Sequence, residues 1–153
     1  MGTQLPNYKI KELGQEDLDW FIPNAAVRML TDELGRDELI DIDTLRDLSF
    51  KVIETKTAYV VMKGEEYCGA IAGMLVPNLF NPKYVSLVEL FWYVLPEYRT
   101  GRAGLLLLRA LEDRANELGV DLTLSILPHS EVEINTLERM GFVFEELGFR
   151  KVY

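Results

Sequence analysis

One loop and one carboxylate stand out in this chain as residues able to do chemistry. From Val94 to Gly104 the sequence reads Val-Leu-Pro-Glu-Tyr-Arg-Thr-Gly-Arg-Ala-Gly. An apolar run precedes it (Val85, Leu87, Val88, Leu90, Phe91, Trp92, Tyr93), and an amphipathic run from Leu105 to Leu118 follows. A strand therefore ends, a short loop turns, and a helix begins. Such a junction aims several backbone N–H groups at one spot beside a helix N-terminus, which suits a phosphate or pyrophosphate. Arg99, Thr100, Gly101, Arg102, Ala103 and Gly104 make up that loop. Its two glycines allow positive φ and close backbone approach. Its two arginines add forked donors matched to phosphate oxygens. No Gly-Lys-Ser/Thr closes the loop, so it is not the nucleotide-binding P-loop. Glu89 lies inside the otherwise apolar strand, where a charge is costly unless it is paired or used. It could take a proton from an amine, directly or through water. A solvent-facing or hydrogen-bonded structural glutamate is the alternative reading.

The elements that must position these groups follow from periodicity and punctuation. Tyr8 to Leu13 alternates and reads as a first strand. Asp17 to Leu34 has helical apolar spacing, with Pro23 expected to kink or restart it and Gly35 to end it. Asp43 is a plausible N-cap for a second helix carrying Leu45, Leu48 and Val52. Thr57–Lys63, Tyr67–Val76 and Tyr84–Leu95 read as three strands, the first two joined by a turn at Gly64-Glu65-Glu66. The helix opening at Gly104 places Leu107, Leu108, Leu111, Ala115 and Leu118 on one face, and Gly119 closes it. Asp121 to Leu127 is a strand. Ser130-Glu131-Val132-Glu133 has the form of a capping box and predicts a helix from there, stopped by Gly141. Phe142–Glu146 and Phe149–Tyr153 read as two closing strands. The Tyr84 and Asp121 strands can lie parallel through a right-handed helical crossover.

Composition bounds the function classes. The 153 residues read as one domain, 1–153, with a sizeable core. No run approaches the ~18 apolar residues of a membrane span, so no membrane association is expected. No basic segment followed by an apolar core opens the chain, so no secretory signal is expected. Met1-Gly2 invites N-myristoylation, but Pro6 stands where that motif wants Ser or Thr. The single cysteine, Cys68, excludes an internal disulfide, reads as a buried structural thiol and fits a reducing cytoplasm. A net charge of −9 argues against nucleic-acid binding. The acidic residues Asp32, Glu33, Asp37, Glu38, Asp41, Asp43 and Asp47 read as a solvated surface or as an attraction for a cationic amine. No metal is expected.

The loop resembles the acetyl-coenzyme A signature of GNAT-type N-acetyltransferases, Val-x-Pro-x-x-(Arg/Gln)-x-x-Gly-x-(Gly/Ala). Val94, Pro96, Arg99 and Gly104 stand in the matching places. Arg102 replaces the inner glycine, with Gly101 one residue earlier. The element order is also that of the GNAT fold. The resemblance therefore implies an α/β (α+β) chain: a central mixed, mostly antiparallel sheet, helices on both faces, and one parallel strand pair flanking the cofactor site. It implies an acetyltransferase that moves an acetyl group from acetyl-CoA to an amine-bearing small molecule or protein amine by direct attack. Acetyl-CoA would be the cosubstrate, Glu89 the base, and a backbone N–H at or beside Val94, at a strand bulge, the donor to the thioester carbonyl. The family often supplies the thiolate proton from a tyrosine four residues before a terminal Gly-Phe. Here Gly141-Phe142 is present, but that position is Leu137, and the usual asparagine at the helix start is Ser130. Tyr93, Tyr98, His129 or a water are substitutes by location only; Tyr93 reads first as a packing residue and His129 as a surface residue at a helix start. Leu-Phe-Trp-Tyr-Val-Leu-Pro-Glu-Tyr-Arg and Asn-Leu-Phe-Asn-Pro are similar to small bacteriophage-encoded members. A homodimer is compatible with this reading. Two rivals stay open: a catalytically weak or inactive GNAT-fold protein acting as a CoA-binding or protein-interaction module, and an enzyme using another acyl group.

Overall fold

The computed structural model of the protein describes residues 7–153. The N-myristoylation reading on Met1-Gly2 and Pro6 lies outside them.

Alternation at Tyr8–Glu12 gives strand β1, paired antiparallel with β2 (Ala58–Lys63). Between them runs the helical layer. It begins with a tight turn at Gln15–Asp17, then α1 (Leu18–Phe21), which widens into π turns at Ile22–Ala26 and Met29–Glu33. Pro23 changes the winding instead of breaking the helix. Its ring lacks an N–H and crowds the carbonyl four residues back, and a wider turn relieves both problems. The Asn24 side chain donates to the Trp20 carbonyl at 3.0 Å. Gly35, at φ +61°, ends this stretch. Helix α2 spans Ile42–Thr55 and is capped at Asp41, two residues before the expected Asp43. Thr44 donates to the Asp41 carboxylate at 2.8 Å.

Strand β3 (Glu66–Pro77) follows the Gly64-Glu65 turn, and β4 (Val85–Val94) pairs with it antiparallel. Helix α3 (Ala103–Leu118) crosses over to β5 (Asp121–Thr123), which lies parallel to β4. The sheet order is β1-β2-β3-β4-β5. Phe21, Ile22, Ala25 and Val52 cover one sheet face, against Val60, Ala70, Ala72, Phe91 and Tyr93. Leu107, Leu108, Leu111 and Ala115 of α3 cover the other, against Val61, Ile71 and Leu87. These α3 leucines are the ones the spacing selected, and burying each contributes about 1.5–3 kcal/mol. Cys68 is wholly buried and its thiol pKa is raised by burial.

Three expectations fail toward the C-terminus. The strand predicted over 121–127 stops at Thr123. The capping box at Ser130 does not form. The Ser130 hydroxyl instead accepts from the Val132 N–H at 3.1 Å, a local turn that competes with helix, and α4 runs only over Ile134–Arg139. The closing strands 142–146 and 149–153 are not formed, and Val143, Phe149 and Val152 stand exposed. Alternation supplies strand propensity but not a partner, and a three-residue edge strand offers little ladder to extend.

Asp17 is a contact the sequence did not reveal. Its buried carboxylate accepts from the Gly14 N–H at 2.8 Å and the Tyr67 hydroxyl at 2.5 Å, and Lys11 Nζ lies 3.0 Å away. Burial alone would raise its pKa, but these three donors outweigh burial and hold it below the ordinary value. Its contribution to stability is therefore present above the unfolded carboxyl's pKa, about 3.9, and is lost as pH falls through the lower folded value. We expect Asp17→Asn to lower unfolding free energy by about 2–4 kcal/mol at pH 7 and by much less near pH 3. Urea denaturation at the two pH values checks this, and equal losses at both would show that the charge is not what matters.

Candidate active site

The site is built on the far end of β4. Leu95 donates to the Cys68 carbonyl at 2.8 Å, so that end faces β3 at Leu95. In an antiparallel ladder the facing alternates, so Tyr93 also bonds toward β3 while Trp92 and Val94 turn their N–H and C=O to the opposite edge. That edge is open. Strand β5 pairs only with Ser86, Leu87 and Val88, and from Glu89 onward β4 has no strand on that side among the described residues. Tyr84 donates to Asp121 at the start of the pair, which pins the closed end. The slot begins where the two strands part.

Glu89 is the first β4 residue beyond the paired segment. It follows Leu87 by two with no slip between them, so the pleat puts both on the α3 face. Glu89 is half-buried, and among the described residues no cation or donor meets its carboxyl. Desolvation therefore pushes its pKa up to about 7. The ladder slips at the next residue: Gly73 faces Glu89 and Ala72 faces Phe91, which leaves Leu90 as a bulge. The bulge expected near Val94 thus lies four residues earlier.

The loop that follows is tied down at several points. Pro96–Tyr98 forms one tight turn. Arg99 Nε donates to the Val94 carbonyl at 2.8 Å, and its Nη2 meets Glu33 Oε1 at 2.6 Å. The guanidinium expected to clasp phosphate is engaged with protein groups instead. Helix α3 has no side-chain cap, and Arg102 stands at its N-cap. The first helical bond runs from the Leu106 N–H to the Arg102 carbonyl, so the N–H groups of Arg102, Ala103, Gly104 and Leu105 have no helical acceptor. Trp92 Nε1 donates to the Gly104 carbonyl at 3.1 Å and fixes this helix start against β4. Thr100 and Arg102 are exposed, and Ala103 is buried.

Neither loop glycine has positive φ, contrary to the sequence reading. A Cβ at Gly101 would sit 2.8 Å from the Tyr8 hydroxyl, so a larger residue there would have to push the end of that half-buried side chain aside. At Gly104 a Cβ would meet only Val94 and Trp92 side chains, at 3.6–3.8 Å. The protein itself does not demand glycine at 104.

Of the substitutes for the missing tyrosine, none reaches the open edge as a free donor. Tyr93 is buried (2% exposed) on the α1 face, its ring within 5.2 Å of Arg99 and 5.8 Å of Arg28, and its hydroxyl has no partner among the described residues. Burial raises its pKa. Tyr98 donates to Glu66 at 2.6 Å, which holds its pKa at about 12. His129 is exposed, with Nε2 3.8 Å from Glu33. Sequence reasoning missed Trp92 and Glu33. Trp92 was hidden inside an apolar run, and Glu33 was one carboxylate among seven.

A second feature is a cavity of roughly 250 Å³ on the α1–α2 face, bounded by the π turns, α2, Ala72 of β3, and Leu90 and Phe91 of β4. It adjoins the bulge that follows Glu89.

No helix among the described residues is long and apolar enough to cross a membrane. No curated protein sequence matches the chain. Its structure is similar to a transcriptional regulator from Bacillus halodurans C-125, at 20% identity and TM-score 0.71, covering 96% of this chain and 100% of that one. It is similar to AAC(6')-Iy in complex with the bisubstrate analog CoA-S-monomethyl-acetylneamine, at 14% identity and TM-score 0.69, covering 96% and 99%. It is also similar to an aminoglycoside acetyltransferase from an uncultured soil metagenomic sample, at 15% identity and TM-score 0.67, covering 95% of each chain. At these identities the likeness establishes the fold. The sequence model of the acetyltransferase (GNAT) family matches residues 24–142, well over half of the chain. With that match, and with a parted β4–β5 pair leading into an uncapped helix N-terminus, the chain belongs to the GNAT acetyltransferase family.

Proposed function

We propose that this protein transfers an acetyl group from acetyl-CoA to a primary amine by direct attack. The observation that carries this reading is the open β4 edge running straight into the unpartnered N–H groups at the start of α3. The N–H groups of Arg102, Ala103, Gly104 and Leu105 would hold the pyrophosphate, since they converge where the helix dipole favours an anion. Exposed Arg102 can add charge there. The outward Val94 N–H is the donor for the thioester carbonyl, as a fixed dipole aimed at developing negative charge. The bound thioester supplies an activated acetyl group.

Glu89 is the base. An alkylamine has a pKa near 10.4 and arrives largely protonated. A carboxyl titrating near 7 is balanced between accepting and releasing a proton at neutral pH. The amine nitrogen bonds to the carbonyl carbon as the carbon–sulfur bond breaks. Before attack one ammonium proton passes to Glu89 and on to solvent; after attack the nitrogen gives its second proton to water, and water delivers a proton to the thiolate. Solvent fits that last step because the Tyr98 hydroxyl is engaged and Tyr93 lies on the far face. That same lack of a side-chain acid favours a second reading, a CoA-binding module with little turnover. The bisubstrate complex of AAC(6')-Iy joins CoA to an acetylated amine on this fold, in support of the first.

Incubation with acetyl-CoA and an amine panel, following free thiol, tests the proposal. Turnover supports transfer, whereas CoA binding without any turnover favours the module. Gly104→Asp should abolish CoA binding by calorimetry, because it adds a negative charge in the first turn of α3, among the N–H groups that would hold the pyrophosphate, and unchanged affinity would remove this site. Glu89→Gln should lower the rate by about 10²-fold near neutral pH. The parent's rate should fall as pH drops below about 7, and the variant should lose that inflection. An activity-independent check uses the sign of the shift. A carboxyl raised from about 4.5 to about 7 binds more protons folded than unfolded, so its burial costs stability increasingly as pH rises through that window. Glu89→Gln should therefore be more stable than the parent at pH 8, by up to about 3 kcal/mol, and equal to it near pH 4. Equal stability at both pH values would show that the glutamate is solvated and ordinary.

A further inference from the structure

We propose that the acceptor is a primary amine bearing a compact apolar body, alkyl or arylalkyl, and not a polyhydroxylated aminosugar or a polyamine. This rests on the acetyl-transfer reading above and names its substrate class. A cavity lies beside β4 on the α1–α2 face. Its walls are Met29, Leu30, Leu45, Leu48 and Phe91, with Leu90 at the bulge. Polar residues reach it at three places only: Asp41, Thr44 and Ser49. The Thr44 hydroxyl is already donated to Asp41 at 2.8 Å, and the Ser49 hydroxyl to the Leu45 carbonyl at 2.7 Å. The cavity therefore offers no free side-chain donor. A sugar ring buried here would leave hydroxyls without partners, at a cost of roughly 1–3 kcal/mol each. An apolar body gains by the same burial.

Size and charge narrow the class further. About 250 Å³ equals on the order of eight waters at ~30 Å³ each, so the body has about that many heavy atoms. Asp41 is exposed, and Asp37, Glu38 and Asp43 are close to it in the chain. Their combined field draws a cation toward the opening. Leu90 directly follows Glu89, and the unpaired β4 edge from Glu89 to Val94 joins the two sheet faces. Leu90 and Phe91 border that edge, so a body seated on them lies beside the unpaired β4 segment that runs on to Val94, along which its amine extends toward the thioester. The products are the N-acetylated amine and free coenzyme A thiol.

The test offers hexylamine, phenylethylamine, tobramycin and spermidine separately with acetyl-CoA and follows thiol release. Hexylamine and phenylethylamine should exceed the other two at least tenfold in kcat/KM. Ala72→Leu, which fills the cavity, should raise KM for the apolar amines at least tenfold while leaving CoA affinity by calorimetry unchanged. If that variant does not fold, Leu48→Gln puts an amide into the wall, and it should likewise raise KM for the apolar amines. Preference for tobramycin or spermidine would overturn the apolar class while acetyl transfer stands. If no amine releases thiol, the transfer reading fails. Calorimetry of phenylethylamine with the CoA-loaded protein then decides the cavity: binding that Ala72→Leu removes supports it, and no binding overturns it.

Discussion

Strands β4 and β5 stay together for three residues and then part. A parallel strand ends when its backbone groups find other partners, and here the chain leaves the ladder after Thr123. Beyond that point β4 carries backbone donors on an edge that no strand of the described chain fills, with Arg99 meeting only the Val94 carbonyl at its end. Three other features take their meaning from this edge. Glu89 stands at its start, Val94 near its end, and the free N–H groups of α3 just past it. Had β5 stayed paired through its predicted length to Leu127, its register would have carried it along β4 to about Trp92 and filled most of the slot. The Tyr84–Asp121 contact holds the closed end, so the parting is a fixed fork and not a frayed edge.

Two carboxylates show how partners, not burial, decide what an acid does. Asp17 is fully buried yet holds its charge, because a backbone N–H, a phenol and an ammonium surround it. It ties β1, the first turn and β3 together. Glu89 is less buried but has no partner among the described residues, so its charged form is penalised and its pKa rises to about 7. The first arrangement stabilises the fold. The second costs stability near neutral pH and leaves a group able to exchange protons, which is the expected balance at a functional site.

Arg99 connects the two sides of the site. Its contacts with the Val94 carbonyl and Glu33 link the loop to the end of the helical layer that walls the cavity. Because the guanidinium is planar and forked, it satisfies both at once. Loop and cavity wall are therefore held in fixed relation. On the opposite face Trp92 anchors the first turn of α3 by one bond to Gly104. Neither link is a phosphate contact, although both lie within the segment whose residue types suggest one.

The sequence by itself determined the elements that carry strong periodicity or punctuation. The α3 leucines, Gly35 and Gly119 as stops, the hairpin at Gly64-Glu65 and the strand–loop–helix order around Arg99 all follow from local preferences that tertiary structure does not contradict. The parallel partner of β4 was also legible, because a helical crossover leaves few other topologies. Tertiary structure alone decided what depends on residues meeting across the fold. Glu89 was visible as a misplaced charge, but its unpartnered state depends on what packs around it. Arg99 kept its place and changed its partners, because Glu33 is 66 positions away in the chain. The bulge at Leu90 is a difference in register between two strands, and no single strand encodes it. The segments at 142–146 and 149–153 have the alternation of strands and remain unpaired, since a strand exists only where another offers a ladder. The cavity, likewise, is a space between the π turns, α2, β3 and β4, so its lining could be named only once their packing was fixed.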